Sequence, residues 1–245
     1  EATNDASVSN EETGTVTVDT VTGHDLTGDT DLSGNPGDTV TYHFTILNTG
    51  NAQEKMDYTV ASSWNVDTPG GSTTLDMGAS DTISVTQTIP SNADSGDSAS
   101  VTFSVINGDG SSTSVTTTAN QIYGVTVTAG TLTGLNPGGS GDLSFTVTNT
   151  GNGFDTFTIG HSGVWANAKS DDTVSLASGS SATVDITVGI PADAASAASS
   201  SIGLSATSSG AASTDSYDVV VASSTRSLAI TGGTAYTFNQ GTIGQ

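Results

Sequence analysis

The chain contains no cysteine, and only 3 of its 245 residues are lysine or arginine. Without cysteine the protein can form neither disulfides nor thiolate metal sites, and it has no thiol nucleophile. The shortage of cations argues against nucleic acid as a partner, because contacts to phosphates rely on lysine and arginine. The net charge of -22 also opposes binding to anionic membranes.

Long apolar runs are missing as well, so no segment of the sequence is suited to membrane insertion. The chain begins at Glu1 rather than at a methionine, which fits a protein whose signal peptide has been removed. We therefore expect a secreted protein that is extracellular or attached to the cell surface.

Serine, threonine and glycine are abundant, with 36, 43 and 30 residues respectively. This composition disfavours long amphipathic helices and favours strands joined by turns. Short runs of apolar residues alternate with threonine, serine or aspartate, which is the period-two pattern of half-buried strands.

The sequence repeats itself at a distance of 101 residues, as Trp64 and Trp165 show. The turn sequences Asn-Pro-Gly and Asn-Thr-Gly-Asn and the dipeptide Ile-Pro recur at the same distance. Each copy contains about seven strand-like runs, so we predict an all-β protein built of two tandem seven-stranded Ig-like antiparallel β-sandwiches. The predicted divisions are an N-terminal extension (1–13), two domains (14–121 and 122–222) and a C-terminal strand-forming tail (223–245).

Large apolar residues at inward positions of these runs are the predicted core. The two tryptophans follow the third strand of each copy, where an aromatic ring fills the space between sheets more readily than it stacks on a sugar. The predicted core residues are Phe44, Trp64, Phe103, Phe145, Trp165 and Leu204.

The two copies differ at their beginnings. We predict the first strand over residues 14–22 and align Val16 with Val125, which leaves about eight extra residues in an acidic surface loop of the first copy. Clustered carboxylates on a glycine-containing loop are the ligands that Ca²⁺ prefers, although the spacing is not that of an EF-hand. The alternatives are a solvated acidic loop without any cofactor and a calcium site formed by Asp25, Asp29, Asp31 and Asp38.

Several of these motifs resemble the Ig-like domains that accompany bacterial alpha-galactosidases and occur in bacterial and archaeal surface proteins. The resemblance rests on Asn-Pro-Gly, a Val/Phe-rich strand, Asn-Thr-Gly-Asn, and Ile-Pro followed by a short Ala/Asp segment, and it covers most of each copy. It implies an Ig-like fold but no particular function, since such domains serve as spacers, stalks and surface-layer modules.

The tail departs from the repeat. Shifted by 101, residues 226–230 fall on the first strand of the second domain, so the tail begins a third copy that has no sandwich of its own. A strand of this kind could complete a sheet in another subunit, as in donor-strand pili. An N-terminal donor is the alternative, and the predicted C-terminal donor residues are Leu228, Ile230, Tyr236, Phe238 and Ile243.

No catalytic motif is found, and His24, His43 and His161 share no spacing, so we expect that the protein is not an enzyme. The favoured function is a structural filament subunit whose partners are copies of itself. The alternatives are a passive stalk or surface-layer module and a carbohydrate-binding accessory module. N-linked sequons are absent, so glycans attached to the many hydroxyls would be O-linked.

Overall fold

A computed structural model describes residues 13–107 and 110–222, which form strands and turns without any helix. This confirms the predicted all-β fold class. In the described ranges no helix is long and apolar enough to cross a membrane. The chain divides into two compact units: Glu1–Tyr123 with Gly151–Phe154, and Gly124–Thr150 with Asp155–Gln245.

The first unit contains two sheets, with strand orders β1-β3-β7-β5 and β2-β9-β8-β4-β6. All pairs are antiparallel except β2 with β9, which is parallel. The described strands therefore number nine rather than the predicted seven. They are β1 His24–Gly28, β2 Leu32–Gly34, β3 Thr39–Asn48, β4 Glu54–Ala61, β5 Asn65–Val66, β6 Gly70–Leu75, β7 Ser80–Thr88, β8 Ser98–Val105 and β9 Ser111–Ala119.

Three stacked aromatic rings lie at the centre of the first unit. Phe44 and Phe103 are fully buried on opposite sheets, with their ring centroids 4.9 Å apart. Tyr58 also stacks on Phe103, with ring centroids 4.9 Å apart. Trp64 is half-buried against a smaller cluster that contains Ile89. The first unit is thus a sandwich whose two sheets share one apolar core.

The second unit also contains two sheets, with orders β10-β11-β15-β13 and β14-β12-β16-β17, and all its pairs are antiparallel. Phe145, Trp165 and Leu204 lie in its core cluster. Eight strands are described here, one more than the predicted seven. They are β10 Val125–Ala129, β11 Ser140–Asn149, β12 Asp155–Ser162, β13 Ala166–Lys169, β14 Thr173–Leu176, β15 Ser181–Gly189, β16 Ser199–Thr207 and β17 Ala212–Val220.

The first strand of the first unit is β1, and the strand predicted over residues 14–22 is wrong. His24 of β1 pairs with Asn48, just as Val125 of β10 pairs with Asn149. Since both partners are shifted by 101 residues, the two copies align here without an insertion. The predicted eight-residue acidic loop is therefore also wrong, because most of it forms β1 and β2.

The repeat distance changes once, between the last two strands. Thr102 of β8 pairs with Ser114, whereas Gly203 of β16 pairs with Ser216. The distance is 101 residues on the first strand of each pair and 102 on the second, because the connection before β17 is one residue longer. Positions on β9 therefore correspond to positions on β17 that lie 102 residues later.

The repeated Asn-Thr-Gly-Asn motif begins with a buried amide. Asn48 is fully buried, and its Nδ2 donates to the carbonyls of Ala52 and Leu75, both at 2.9 Å. Its Oδ1 accepts from the backbone N–H of Gly50 at 2.9 Å. Because Leu75 ends β6 and Asn48 ends β3, this amide links the two sheets of the first unit. Asn149 repeats the bond, donating to the carbonyl of Leu176 at 2.9 Å.

Candidate strand-addition site

The outer edge of β9, the last strand of the first unit, is covered by a short strand. Residues of β2 pair in parallel with Thr117, Thr118 and Ala119. Just before β2, a carboxylate oxygen of Asp31 accepts from the N–H of Thr116 at 2.7 Å. Just after the pairing, the carbonyl of Gly34 accepts from the N–H of Asn120 at 2.8 Å. The outward backbone groups of this edge therefore have partners within the same unit.

The corresponding edge of β17 has no such strand. Within the described residues, β17 pairs only with β16, and residues 133–135, which stand where β2 would be, form no strand. The carbonyl of Leu135 accepts from the N–H of Ala222 at 2.9 Å, which reproduces only the last bond of the first unit. Leu132 stands where the first unit has Asp31, so the carboxylate acceptor is missing too.

Two backbone donors of β17 are consequently open. The N–H of Ser216 bonds to the Asp215 carboxylate at 2.8 Å, and that of Ala222 bonds to Leu135, so even-numbered residues point their N–H groups away from β16. Alternation along a strand places the N–H groups of Asp218 and Val220 in the same direction. No described group accepts a hydrogen bond from either. The Val220 side chain beside them is 47% exposed.

The first half of the β17 edge is closed by its own side chains. Ser213 Oγ accepts from the N–H of Val127 at 3.2 Å, and a carboxylate oxygen of Asp215 accepts from the N–H of Ala129 at 2.7 Å. Both donors belong to β10, the edge strand of the other sheet. The open stretch is thus limited to residues 218–220, which we call the open edge. An unpaired, partly apolar edge of this kind is a template for another strand.

Backbone hydrogen bonds lower the pKa of three carboxyl groups. The N–H groups of Ala129 and Ser216 lower the pKa of Asp215 below its usual 3.8. The N–H of His43 at 2.8 Å, followed by its side chain at 3.0 Å, lowers the pKa of Asp29. The N–H of Thr86 is the first cause of the lowered pKa of Asp67. These bonds favour the ionised carboxylates.

Acid should therefore weaken both units. Since the folded pKa of each group lies below the unfolded one, its stabilisation is fully present above the unfolded value near 3.8 and is lost as the pH falls through the folded value. We expect the free energy of unfolding of the second unit to fall less with decreasing pH in Asp215→Asn than in the unchanged protein, when chemical unfolding is measured between pH 7 and pH 2. An equal decrease in both proteins would contradict the role assigned to Asp215.

The four predicted calcium ligands do not share one loop, because only Asp29 and Asp31 lie in the connection between β1 and β2, whereas Asp38 lies just before β3. Asp25 is an exposed residue of β1, and the other three carboxylates each accept from a different backbone N–H. Within the described ranges, no group of three or more histidine and acidic residues could hold an ion. The calcium site remains a prediction, and the partners are His43 for Asp29, Thr116 for Asp31 and Asn35 for Asp38.

The predicted C-terminal donor residues, from Leu228 to Ile243, lie outside the described residues. The open edge itself was missed by sequence reasoning. Its only signal in the sequence was the replacement of Asp31 by Leu132 between the two copies.

The paired sheets define an all-β, sandwich-type protein. No family model matches the chain, and no curated protein matches it. Solved structures that match include a protein of unknown function from Porphyromonas gingivalis W83, with 12% identity, 80% of this chain and 99% of that chain covered, and a TM-score of 0.32. A chimeric titin Z1Z2 has 14% identity, 81% and 97% coverage and a TM-score of 0.27. The YadV chaperone has 11% identity, 81% and 99% coverage and a TM-score of 0.27. Similarity at this level carries no argument about function.

Proposed function

We propose that this protein is a structural subunit of an extracellular filament or pilus-like fibre, which polymerises head to tail by β-strand donation. The observation that supports this function is the difference between the two units at one edge. In the first unit, β2 covers β9, whereas residues 218–220 of β17 have no described partner. A strand from another subunit would accept hydrogen bonds from Asp218 and Val220 and cover the Val220 side chain.

Strand donation of this kind produces an open-ended assembly. The donor and the open edge are different surfaces of the subunit, so each contact leaves one donor and one acceptor free at the two ends. Such heterologous contacts form a ring if the rotation closes and a filament if it does not. The partner is therefore a second copy of the same chain.

Charge sets the conditions for testing the assembly. Each subunit carries a net charge of -22, so like charges oppose association at low ionic strength. Salt shortens the screening distance to about 3 Å at 1 M, compared with about 30 Å at 0.01 M. Assembly should be examined by light scattering and negative-stain electron microscopy in high salt.

We expect Val220→Lys to shorten or abolish the fibres, because a lysine on an edge strand opposes pairing with another chain. The matched control is Val164→Lys, since Val164 is also an exposed valine but lies outside the strands. Both variants change the charge equally, so the control should assemble like the unchanged protein. Equal fibres from all three proteins would refute the open edge as the contact. A monodisperse monomer at every salt concentration would instead favour a passive stalk or surface-layer module.

A further inference from the structure

One carboxylate of the second unit joins two edge strands that belong to different sheets. Asp215 lies on β17, and its Oδ2 accepts from the N–H of Ala129 on β10 at 2.7 Å. Its Oδ1 accepts from the N–H of Ser216 at 2.8 Å. Because these two N–H groups lower the pKa of Asp215, they favour the ionised carboxylate over the neutral acid. Two backbone donors thus hold one carboxylate at the seam between β10 and β17.

The first unit has the same pair of donors without the carboxylate. Gly28 of β1 and Ser114 of β9 are the equivalents of the two donors, 101 and 102 residues earlier. Thr113 stands where the second unit has Asp215. Its Cγ2 is 3.4 Å from the position that a Cβ would take on Gly28, so this side chain also lies beside the edge strand of the other sheet. The threonine ends at its γ atoms and brings no carboxylate to the two donors.

Both N–H groups point into the seam between β1 and β9. The N–H of Asp29 bonds to a carbonyl of β3 at 3.2 Å, so alternation along β1 turns the N–H of Gly28 away from β3. On β9, the N–H of Thr116 bonds to Asp31 and points away from β8, and the N–H of Ser114 has the same direction. In the part of the chain that the structure describes, neither N–H has a hydrogen-bond acceptor.

A third donor lies two residues earlier on β1. In the second unit, the Ser213 hydroxyl accepts from the corresponding N–H of β10 at 3.2 Å. Its equivalent in the first unit is Ser111, whose Oγ instead lies 2.7 Å from His24 Nε2. The N–H of Leu26 therefore has no acceptor among the described residues either. The edge of β1 presents the N–H groups of Leu26 and Gly28 side by side toward β9.

We propose that the seam between β1 and β9 binds a carboxylate group, which accepts hydrogen bonds from the N–H groups of Gly28 and Ser114. One oxygen bonds to each N–H, as in the second unit, and such charge-assisted bonds are stronger than bonds between neutral groups. The carboxylate belongs to a small organic acid or to an acidic side chain of a second copy, since each chain carries 25 aspartate and glutamate residues. The site lies within the first unit and does not depend on fibre formation.

Nearby negative charge limits the affinity of this site. Asp31 already occupies the N–H of Thr116, the next outward donor along β9, and the whole chain has a net charge of -22. Both repel a further anion, and salt screens this repulsion. Binding should therefore be weak, and it is best measured at high and constant ionic strength.

Amide proton shifts in NMR spectra test the site directly, because an N–H proton moves downfield when it gains a carboxylate acceptor. Isotope-labelled protein is titrated with sodium acetate, which replaces sodium chloride at constant ionic strength. We expect saturable downfield shifts of the Gly28 and Ser114 amides. The amides of Ala129 and Ser216 should not move, because Asp215 already occupies them.

Two variants exchange the site between the units. Thr113→Asp supplies the carboxylate from the chain itself and should abolish the acetate shifts of the first unit. Asp215→Thr removes the carboxylate of the second unit and should create acetate shifts at its two donors. Thr113→Val is the control, because it keeps the backbone donors and should retain the shifts. Equal acetate shifts in Thr113→Asp and in the unchanged protein would show that the assignment is wrong.

Dilution without acetate distinguishes the two sources of the carboxylate. If a second copy supplies it, the shifts of Gly28 and Ser114 depend on protein concentration, and Thr113→Asp removes this dependence. If a small acid supplies it, these amides respond to acetate and not to dilution. All spectra are recorded in the Val220→Lys background, which opposes fibre formation and lies in the other unit. Amides that respond neither to acetate nor to dilution would overturn this proposal and would leave the proposed function untouched.

Discussion

Replacing Phe103 with alanine is expected to unfold the first unit and to leave the second unit folded. The Phe103 ring is fully buried and stacks on the rings of Phe44 and Tyr58, each at 4.9 Å. Truncating a buried phenylalanine to alanine costs about 3–5 kcal/mol. The free energy of unfolding of a small domain is about 5–15 kcal/mol, so this loss removes much of the stability of the first unit.

Scanning calorimetry measures the outcome, with Leu204→Ala as the matched variant. Leu204 stands 101 residues after Phe103, on β16 of the second unit, and is also buried. We expect Phe103→Ala to lower or remove one thermal transition, and Leu204→Ala to lower the other. A single transition that shifts in both variants would mean that the two units unfold together, against the division into separate domains.

Removing the buried amide of Asn48 is expected to have the second large effect. Asn48→Ala leaves the carbonyl of Leu75 and the N–H of Gly50 without their buried partner. Each unsatisfied buried group costs about 1–3 kcal/mol. Asn48→Asp should be more harmful at pH 7, because it removes the amide donor and buries a carboxylate.

Urea unfolding at two pH values distinguishes these causes. Protonation of the introduced aspartate restores one donor, so Asn48→Asp should lose less stability, relative to the unchanged protein, at pH 4 than at pH 7. Asn51→Ala is the control within the same motif, because its side-chain bonds are exposed and their loss should cost less. A change in stability below about 0.5 kcal/mol for Asn48→Ala would contradict the structural role of this amide.

Local features of the sequence were sufficient to predict the fold class. Alternation of valine and threonine reports the two-residue period of a strand, and the recurrence of Trp64 as Trp165 reports the tandem copies. The turn residues were equally readable, since Gly37 and Gly138 of the Asn-Pro-Gly turns have φ angles of 90° and 77°, which favour glycine. These signals depend on neighbouring residues and on the chirality of the backbone.

Strand partners could not be read in the same way. Residues 14–22 have the better strand pattern, yet β1, which is polar and has only Leu26 as a large apolar residue, forms the edge of the sheet. The segment that becomes the edge strand is the one that the fold places beside the ten-residue strand β3, because it then pairs with the backbone of β3. Backbone hydrogen bonds form without regard to side-chain type, so composition does not specify them.

By itself, the sequence determined that this chain is acidic, all-β and duplicated, because composition, alternation and spacing are properties of the chain. Only the tertiary structure decided that β2 covers one edge, that residues 218–220 leave the equivalent edge open, and that Val16 and Val18 stand outside both sheets. Whether a strand has a partner depends on which backbones meet in space. The sequence shows that Leu132 replaces Asp31. Only the structure shows the consequence, which is that Asp31 accepts from the N–H of Thr116 whereas Leu132 has no side-chain acceptor for the equivalent N–H of Asp218.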